Sequence, residues 1–176
     1  ALGWLVWSSS GQDSPAPANA EGFIITLARN RICKKYQSVV KAGNRISESA
    51  DDRMLHVLRI QCKKLRYLME FFASLFHPET INSSIEHLKR LQDNLGDFND
   101  LRVQEEYLLT VGKQLPVNRG QSEKLFLAIG SLVGALARDR KIVKNAFSET
   151  FADFAAPANE DLFQNLFAAQ TSLSDP

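Results

Sequence analysis

The chain has 176 residues, of which 44% are hydrophobic and 23% are charged, a composition typical of one globular domain with its own core. Its formal net charge of +1 gives no sign of a general polyanion-binding protein. No apolar run approaches the roughly 18–20 residues of a membrane-spanning helix.

The positive charge is concentrated in one part of the chain. Residues 29–66 contain eleven Lys and Arg residues against three acidic residues, a net charge of +8, which leaves −7 for the remainder. An uneven distribution of this size predicts an anionic ligand at the basic part of the molecule.

Residues 1–20 lack the pattern of a folded segment. A short apolar run, ALGWLVW, is followed by SSSGQDSPAPANA, which is rich in Ser, Pro and Ala. We expect a disordered or linker segment at 1–20, a helical domain at 21–170 and a tail at 171–176. The two cysteines, Cys33 and Cys62, form no CxxC motif, and we interpret them as reduced thiols of an intracellular, cytoplasmic protein.

The first predicted helix spans residues 21–42. Apolar residues share one of its faces, and a set of cationic residues with no acidic residue among them shares the opposite face: Arg31, Lys34, Lys35 and Lys41. Gly43 predicts the end of this helix.

The second predicted helix spans residues 51–76, with Ser47, Ser49 or Asp51 as its N-cap and His77-Pro78 as its end. Four donors at i, i+3, i+7 and i+10 lie within an arc of about 80° on an ideal helix: His56, Arg59, Lys63 and Arg66. The leucines of this stretch centre on the far side, which predicts a core face opposite a cationic face.

No acidic residue interrupts this second helix between Asp52 and Glu70, so the usual i, i+4 neutralising partners are missing inside the run. The neighbouring aromatic residues, Tyr67, Phe71 and Phe72, are predicted to turn progressively toward the core side.

The third predicted helix begins near Glu79 or Thr80. Gly96 costs about 1 kcal/mol relative to Ala inside a helix, so we expect a kink or break there. Asn99 or Asp100 can then cap a fourth helix that ends near Leu115, and capping also accounts for Asp97.

A further long helical pattern runs from Gln121 to about Phe154, with an interruption expected around Gly130 and Gly134. Pro157 ends it, and Asn159 can cap a last short helix that reaches about Ala169. No strand pattern competes anywhere, so the predicted fold class is all-α, an antiparallel bundle of long helices with short connections.

Enzyme motifs are missing from the sequence. It contains no GxGxxG, GxxxxGK[ST], HExxH or GxSxG motif, and the histidines His56, His77 and His87 have no i, i+4 partner for a helical metal site. We therefore expect no catalytic residues, no metal site, no cofactor and no enzymatic activity.

The cationic faces favour a phosphate ligand. Arg and Lys about one helical turn apart offer charge-assisted donors that can follow a chain of phosphates. Proteins that hold single-stranded nucleic acid usually add aromatic platforms for the bases, and with the aromatics turned to the core a ligand with phosphates and no bases is favoured. The competing interpretation is a basic helix that is simply solvated.

Two stretches, LHVLRIQCKKLRYLMEFF and HLKRLQDNLGDFNDLRV, carry a resemblance to a known family. They resemble the CHAD domain, the "conserved histidine α-helical domain". The matching positions in the first stretch are His56, Arg59, Lys63, Arg66 and Tyr67, and those in the second are Leu88, Lys89, Leu91, Gln92, Leu95, Gly96, Asn99 and Asp100.

The resemblance covers roughly residues 25–155 and implies an all-helical domain that binds inorganic polyphosphate, often in polyphosphate granules, without catalysis of its own. Members usually carry two four-helix halves. This chain resembles the second half, as one CHAD-like four-helix unit plus a C-terminal helix. Its unpaired face could recruit a second copy as a homodimer, or another CHAD-like half.

The sequence therefore predicts polyphosphate binding, for targeting to polyphosphate granules. The expected binding residues are His56, Arg59, Lys63 and Arg66, joined by Lys89, Arg31 and Lys35 from neighbouring helices and more weakly by Lys34, Lys41 and Lys64. The alternative is a helical module that binds RNA or an acidic protein partner, and a third alternative is an enzyme that acts on phosphate chains.

Overall fold

The spacing of apolar residues determines the helices of this protein, and the computed structural model describes them for residues 20–46, 51–114 and 121–167. Five helices follow in order, with a short 3₁₀ turn at Ala73–Leu75 after the second: α1 (Ala20–Gly43), α2 (Asp52–Phe71), α3 (Pro78–Gln114), α4 (Gln121–Phe154) and α5 (Pro157–Phe167). The described residues contain no strand, which confirms the predicted all-α class.

One continuous apolar core joins all five helices. Ile32 on α1, Leu58 on α2, Leu91 on α3, Phe154 on α4 and Phe163 on α5 are each almost fully buried in it. Burial of a large apolar side chain stabilises the fold by about 1.5–3 kcal/mol, so this shared core dominates the energetics of the bundle.

Several predicted helix ends are confirmed. Gly43 is the last residue of α1, where an added Cβ would collide with the ring of Phe151. Asp51 is the N-cap of α2, and its side-chain Oδ1 accepts a hydrogen bond of 3.1 Å from the backbone N–H of Arg53.

The predicted break at Gly96 is wrong. α3 runs unbroken from Pro78 to Gln114, so Asn99 and Asp100 lie in the middle of a helix rather than at its N-cap. The helix continues because Leu95 and Phe98, on either side of the glycine, bury almost completely in the core and outweigh its helix penalty of about 1 kcal/mol.

The interruption expected near Gly130 and Gly134 is also wrong, because α4 is continuous along its packing against α3. α2 ends earlier than predicted, at Phe71, and the 3₁₀ turn completes the connection to α3.

The last helix begins at Pro157 rather than after an Asn159 cap, because proline suits the first position of a helix. Asn159 is instead buried: its Nδ2 donates to the carbonyl of Phe154 at 2.6 Å, and its Oδ1 accepts from Nδ1 of His87 at 2.9 Å. This amide therefore ties α5 to both α3 and α4.

Residues 1–19 and 168–176 lie outside the described part, so the predicted linker and tail are not described. Within the described ranges, no helix is both long enough and apolar enough to cross a membrane. Cys33 and Cys62 are free thiols, and burial raises the pKa of Cys62 to about 12.

Candidate functional site

The antiparallel packing of α2 on α3 creates the cleft that holds the core of the predicted site. Two polar contacts set the register of the helices: Nδ1 of His56 donates to Oδ1 of Asn99 at 3.0 Å, and Nη1 of Arg66 donates to Oε1 of Gln92 at 3.1 Å. Between them lies a cleft of about 280 Å³, the α2/α3 cleft, lined by Arg59, Lys63 and Arg66 from α2 and by Gln92, Asp93, Gly96, Asp97 and Asp100 from α3.

The cleft brings three of the predicted binding residues together in one place. Arg59, Lys63 and Arg66 are all partly exposed and line the same wall. Arg59 and Lys63 form no ion pair or hydrogen bond with any residue in the described ranges, so both remain available to a ligand.

Arg66 already contacts other residues of the protein. Its Nε lies 3.2 Å from Oε1 of Glu70 as an i, i+4 ion pair, but the contact lacks hydrogen-bond alignment. Its guanidinium group also lies 5.7 Å from the centre of the Tyr67 ring, a cation–π distance. Glu70, the acidic residue that ends the run without acids on α2, thus partly neutralises Arg66.

His56 lies beyond the end of this cleft. It lines a neighbouring cavity of about 360 Å³, which also contains Asp52, Glu105 and Arg140. Arg140 bonds to Asp52 and, at 2.9 Å, to Glu105, so the cavity wall is an ion-pair network that joins α2, α3 and α4. His56 thus lines this second cavity and not the cleft, although it lies one helical turn before Arg59 on α2.

Cations on the other side of α2 form a second group. Oγ of Ser38 donates to Oε1 of Gln61 at 3.2 Å, and Ala42 lines a cavity with Met54 and Val57, so α1 runs antiparallel to α2. Lys35 lies one turn before Ser38 and Lys64 one turn after Gln61, so this register makes them neighbours across the seam. We call the group of Arg31, Lys34, Lys35 and Lys64 the α1/α2 basic patch.

Two predicted site residues lie elsewhere. Lys89 is exposed on α3, one turn before Gln92 and Asp93, and so extends the cleft by helical register. Lys41 lines a different cavity with Tyr36 and Glu160, between α1 and α5, which separates it from both basic groups. In that cavity, burial and then the neighbouring Glu160 raise the pKa of Tyr36 to about 12.

The exposed aromatics contradict one sequence prediction. Tyr67 is 52% exposed and Phe71 is 78% exposed, whereas Phe72 does pack against the core. The buried stripe of α2 consists of Leu55, Leu58, Cys62, Leu65 and Met69. Tyr67 and Phe71 each lie two positions from Met69, about 200° around the helix, and so remain at the surface.

Sequence reasoning missed the opposite wall of the cleft. Asp97 and Asp100 were attributed to helix capping, and Asp93 and Gln92 were given no role in the site. The signal was present in the spacing, because residues 89, 93, 96 and 100 share one face of an unbroken helix. The erroneous break at Gly96 concealed it.

Comparison with protein families identifies the fold. The family model described as the CHAD domain matches residues 2–109, which include α1, α2 and most of α3 together with the cleft. The match ends before α4, and it begins inside the segment that the sequence analysis separated as a linker. A comparison with curated proteins finds no match. Because the match covers more than half of the chain, the chain belongs to the CHAD domain family.

Proposed function

We propose that this chain binds inorganic polyphosphate through the α2/α3 cleft. The observation that carries the proposal is the position of Arg59, Lys63 and Arg66 on one cleft wall, with Arg59 and Lys63 unpaired within the described residues. Cations that share one wall repel each other, and a bound chain of phosphates offsets that repulsion while it accepts charge-assisted hydrogen bonds. Membership of the CHAD family supports the same ligand.

Binding rather than turnover is the proposed activity, with targeting to polyphosphate granules as its purpose. The α1/α2 basic patch extends the attraction along a second surface, and Lys89 prolongs the cleft. Release of phosphate from polyphosphate by the purified chain in the presence of a metal would contradict a role limited to binding.

The test is a titration with polyphosphates of defined length at two salt concentrations. The informative variant is Arg59→Ala with Lys63→Ala, because neither side chain supports the fold through a polar contact in the described part. We expect at least a tenfold loss of affinity, and a salt dependence (log K against log salt) shallower by about 1.4, since each lost phosphate contact on a flexible strand contributes about 0.7.

The matched control is Lys113→Ala with Lys124→Ala, which removes the same charge from exposed positions near the facing ends of α3 and α4. It should bind within about twofold of the parent, as expected when only long-range attraction is reduced. Equal losses in the two double variants, with helicity retained, would mean that net charge rather than the cleft attracts the ligand.

Single-stranded RNA is the second candidate ligand, and the exposure of Tyr67, which contacts the cleft residue Arg66, favours it, because exposed rings can stack on bases. Competition separates the two ligands. We expect excess polyphosphate to displace a labelled oligonucleotide completely, and excess oligonucleotide to displace labelled polyphosphate poorly. The opposite order, together with loss of oligonucleotide binding in Tyr67→Ala, would favour RNA.

A second copy of this chain is the proposed protein partner. The outer parts of α3 and α4 expose large apolar side chains, among them Tyr107, Leu127 and Leu132, which a monomer leaves in contact with water. Sedimentation that gives a strict monomer at high concentration would exclude this pairing.

A further inference from the structure

The two walls of the α2/α3 cleft carry opposite charges in equal number. Three cations line one wall, and three carboxylates line the other, namely those of Asp93, Asp97 and Asp100. A ligand that carries only negative charge is attracted by the first wall and repelled by the second. Polyphosphate binding at this cleft therefore needs an explanation for these three carboxylates, which we call the acidic row.

Direct pairing does not neutralise the acidic row. None of the three carboxylates forms an ion pair with a cation in the described ranges, and Oδ1 of Asp100 only accepts a hydrogen bond of 3.3 Å from Nδ2 of Asn99. The three carboxylates, together with Arg59 and Lys63 on the other wall, thus leave their charges available to whatever occupies the space between the walls.

Gln92 is an independent sign of a ligand in the cleft. Its side chain lines the cleft although the residue is only 8% exposed, and its Oε1 is occupied by the hydrogen bond from Arg66. Its Nε2 is buried and has no hydrogen-bond partner. A buried amide donor without an acceptor raises the free energy of the folded state, and a ligand oxygen that accepts from this N–H removes that cost.

Gly96 leaves room for that ligand. A Cβ added at Gly96 would meet no heavy atom within 4 Å, so the α3 wall is open at this position, among the three carboxylates. The cleft therefore combines cations, carboxylates, a free amide donor and open space.

We propose that the cleft binds a phosphate chain together with its divalent cation, of the Mg²⁺ type, rather than the bare anion. This inference rests on the proposed function. Phosphate oxygens accept from Arg59, Lys63 and Nε2 of Gln92, while the carboxylates of the opposite wall hold the hydrated cation. Mg²⁺ prefers oxygen ligands, keeps several waters, and is usually bound through one or two carboxylates plus the phosphates of a substrate.

The cation comes with the phosphate chain rather than before it. Among the residues that the structure describes, no group of three His, Cys, Asp or Glu side chains converges as a metal site of its own. The protein alone therefore offers too few ligands, and we expect no measurable binding of MgCl₂ by calorimetry in the absence of polyphosphate.

The experiment compares polyphosphate affinity in MgCl₂ with affinity in potassium salt plus a chelator, at equal ionic strength. At a purely cationic site Mg²⁺ weakens binding, because it neutralises the phosphates that the protein attracts. For this cleft we expect Mg²⁺ to tighten binding by about fivefold or more, the size of one weak charge pair at a surface. The variant Asp93→Asn with Asp97→Asn should lose this gain and bind metal-free polyphosphate more tightly than the parent.

The control is Asp139→Asn with Asp161→Asn, which removes two exposed carboxylates from α4 and α5 and should keep the full response to Mg²⁺. Binding that Mg²⁺ weakens in the parent, or a response unchanged in the Asp93/Asp97 variant, would overturn the inference and leave polyphosphate binding intact. A parent that binds no polyphosphate in either salt would overturn the proposed function itself.

Discussion

Arg66 joins the two walls of the α2/α3 cleft, and its replacement by Met should destabilise the fold as well as weaken binding. Met keeps the apolar stem but loses the 3.1 Å hydrogen bond to Oε1 of Gln92 and the 3.2 Å ion pair with Glu70. Loss of a hydrogen bond to a charged group costs about 1.5–3 kcal/mol.

The other Arg66 contacts contribute less. The ion pair joins side chains that are 33% and 48% exposed, so solvent screening limits it to about 0.3–0.5 kcal/mol. The contact with the Tyr67 ring is also at the surface and contributes about 0.5 kcal/mol. Together these losses should lower the free energy of unfolding of Arg66→Met by about 2–4 kcal/mol.

A double-mutant cycle with Gln92→Leu separates the Arg66–Gln92 contact from the rest. Replacing both polar partners by apolar side chains leaves neither one buried and unpaired, so the double variant should cost about 1 kcal/mol less than the sum of the single variants. Urea unfolding followed by far-ultraviolet circular dichroism provides the measurement.

The control for this cycle is Lys64→Met on the exposed face of α2, which should change stability by less than about 0.5 kcal/mol. Single variants that add to the double within about 0.3 kcal/mol would refute the reasoning. In that event the apolar core alone would hold the walls, and Gln92 would be free to rotate away from the cleft.

Three further predictions concern Gly96, Gly43 and the two cysteines. Gly96→Ala should stabilise the protein by about 0.5–1 kcal/mol, because its Cβ meets no atom within 4 Å and alanine favours the helix. Gly96→Leu should fill the cleft and reduce polyphosphate binding without loss of helicity, and a Leu variant with full binding would contradict this. Gly43→Ala should destabilise by about 1–3 kcal/mol, because its Cβ collides with the buried ring of Phe151; a neutral effect in thermal unfolding would show that the ring can move aside. Cys33 should react with a thiol reagent in the native state, whereas the buried Cys62 should react only on unfolding, and equal labelling rates would contradict this burial. The free energy of unfolding should also fall as pH rises from about 9 to about 12, because the Cys62 thiol keeps its proton in the folded state and loses it in the unfolded state.

The helices and the core could be predicted from the sequence, because apolar periodicity is a local property that burial then confirms. The stripes that include Ile32 on α1 and Leu58, Leu91 and Leu95 on α2 and α3 are buried as their spacing indicates. The cationic face of α2 could also be predicted from the sequence, because the spacing of Arg59, Lys63 and Arg66 puts them on one side of any α-helix.

Only the tertiary structure decided what faces those cations. The helix penalty of Gly96 was read as a break, but burial of Leu95 and Phe98 keeps α3 whole, and the unbroken helix brings Asp93, Asp97 and Asp100 to the opposite wall. The bond between His56 and Asn99 joins residues 43 positions apart, and no local pattern predicts such a pairing. Periodicity reports which side of a helix is polar, whereas the partner of that side depends on how distant helices pack around a common core.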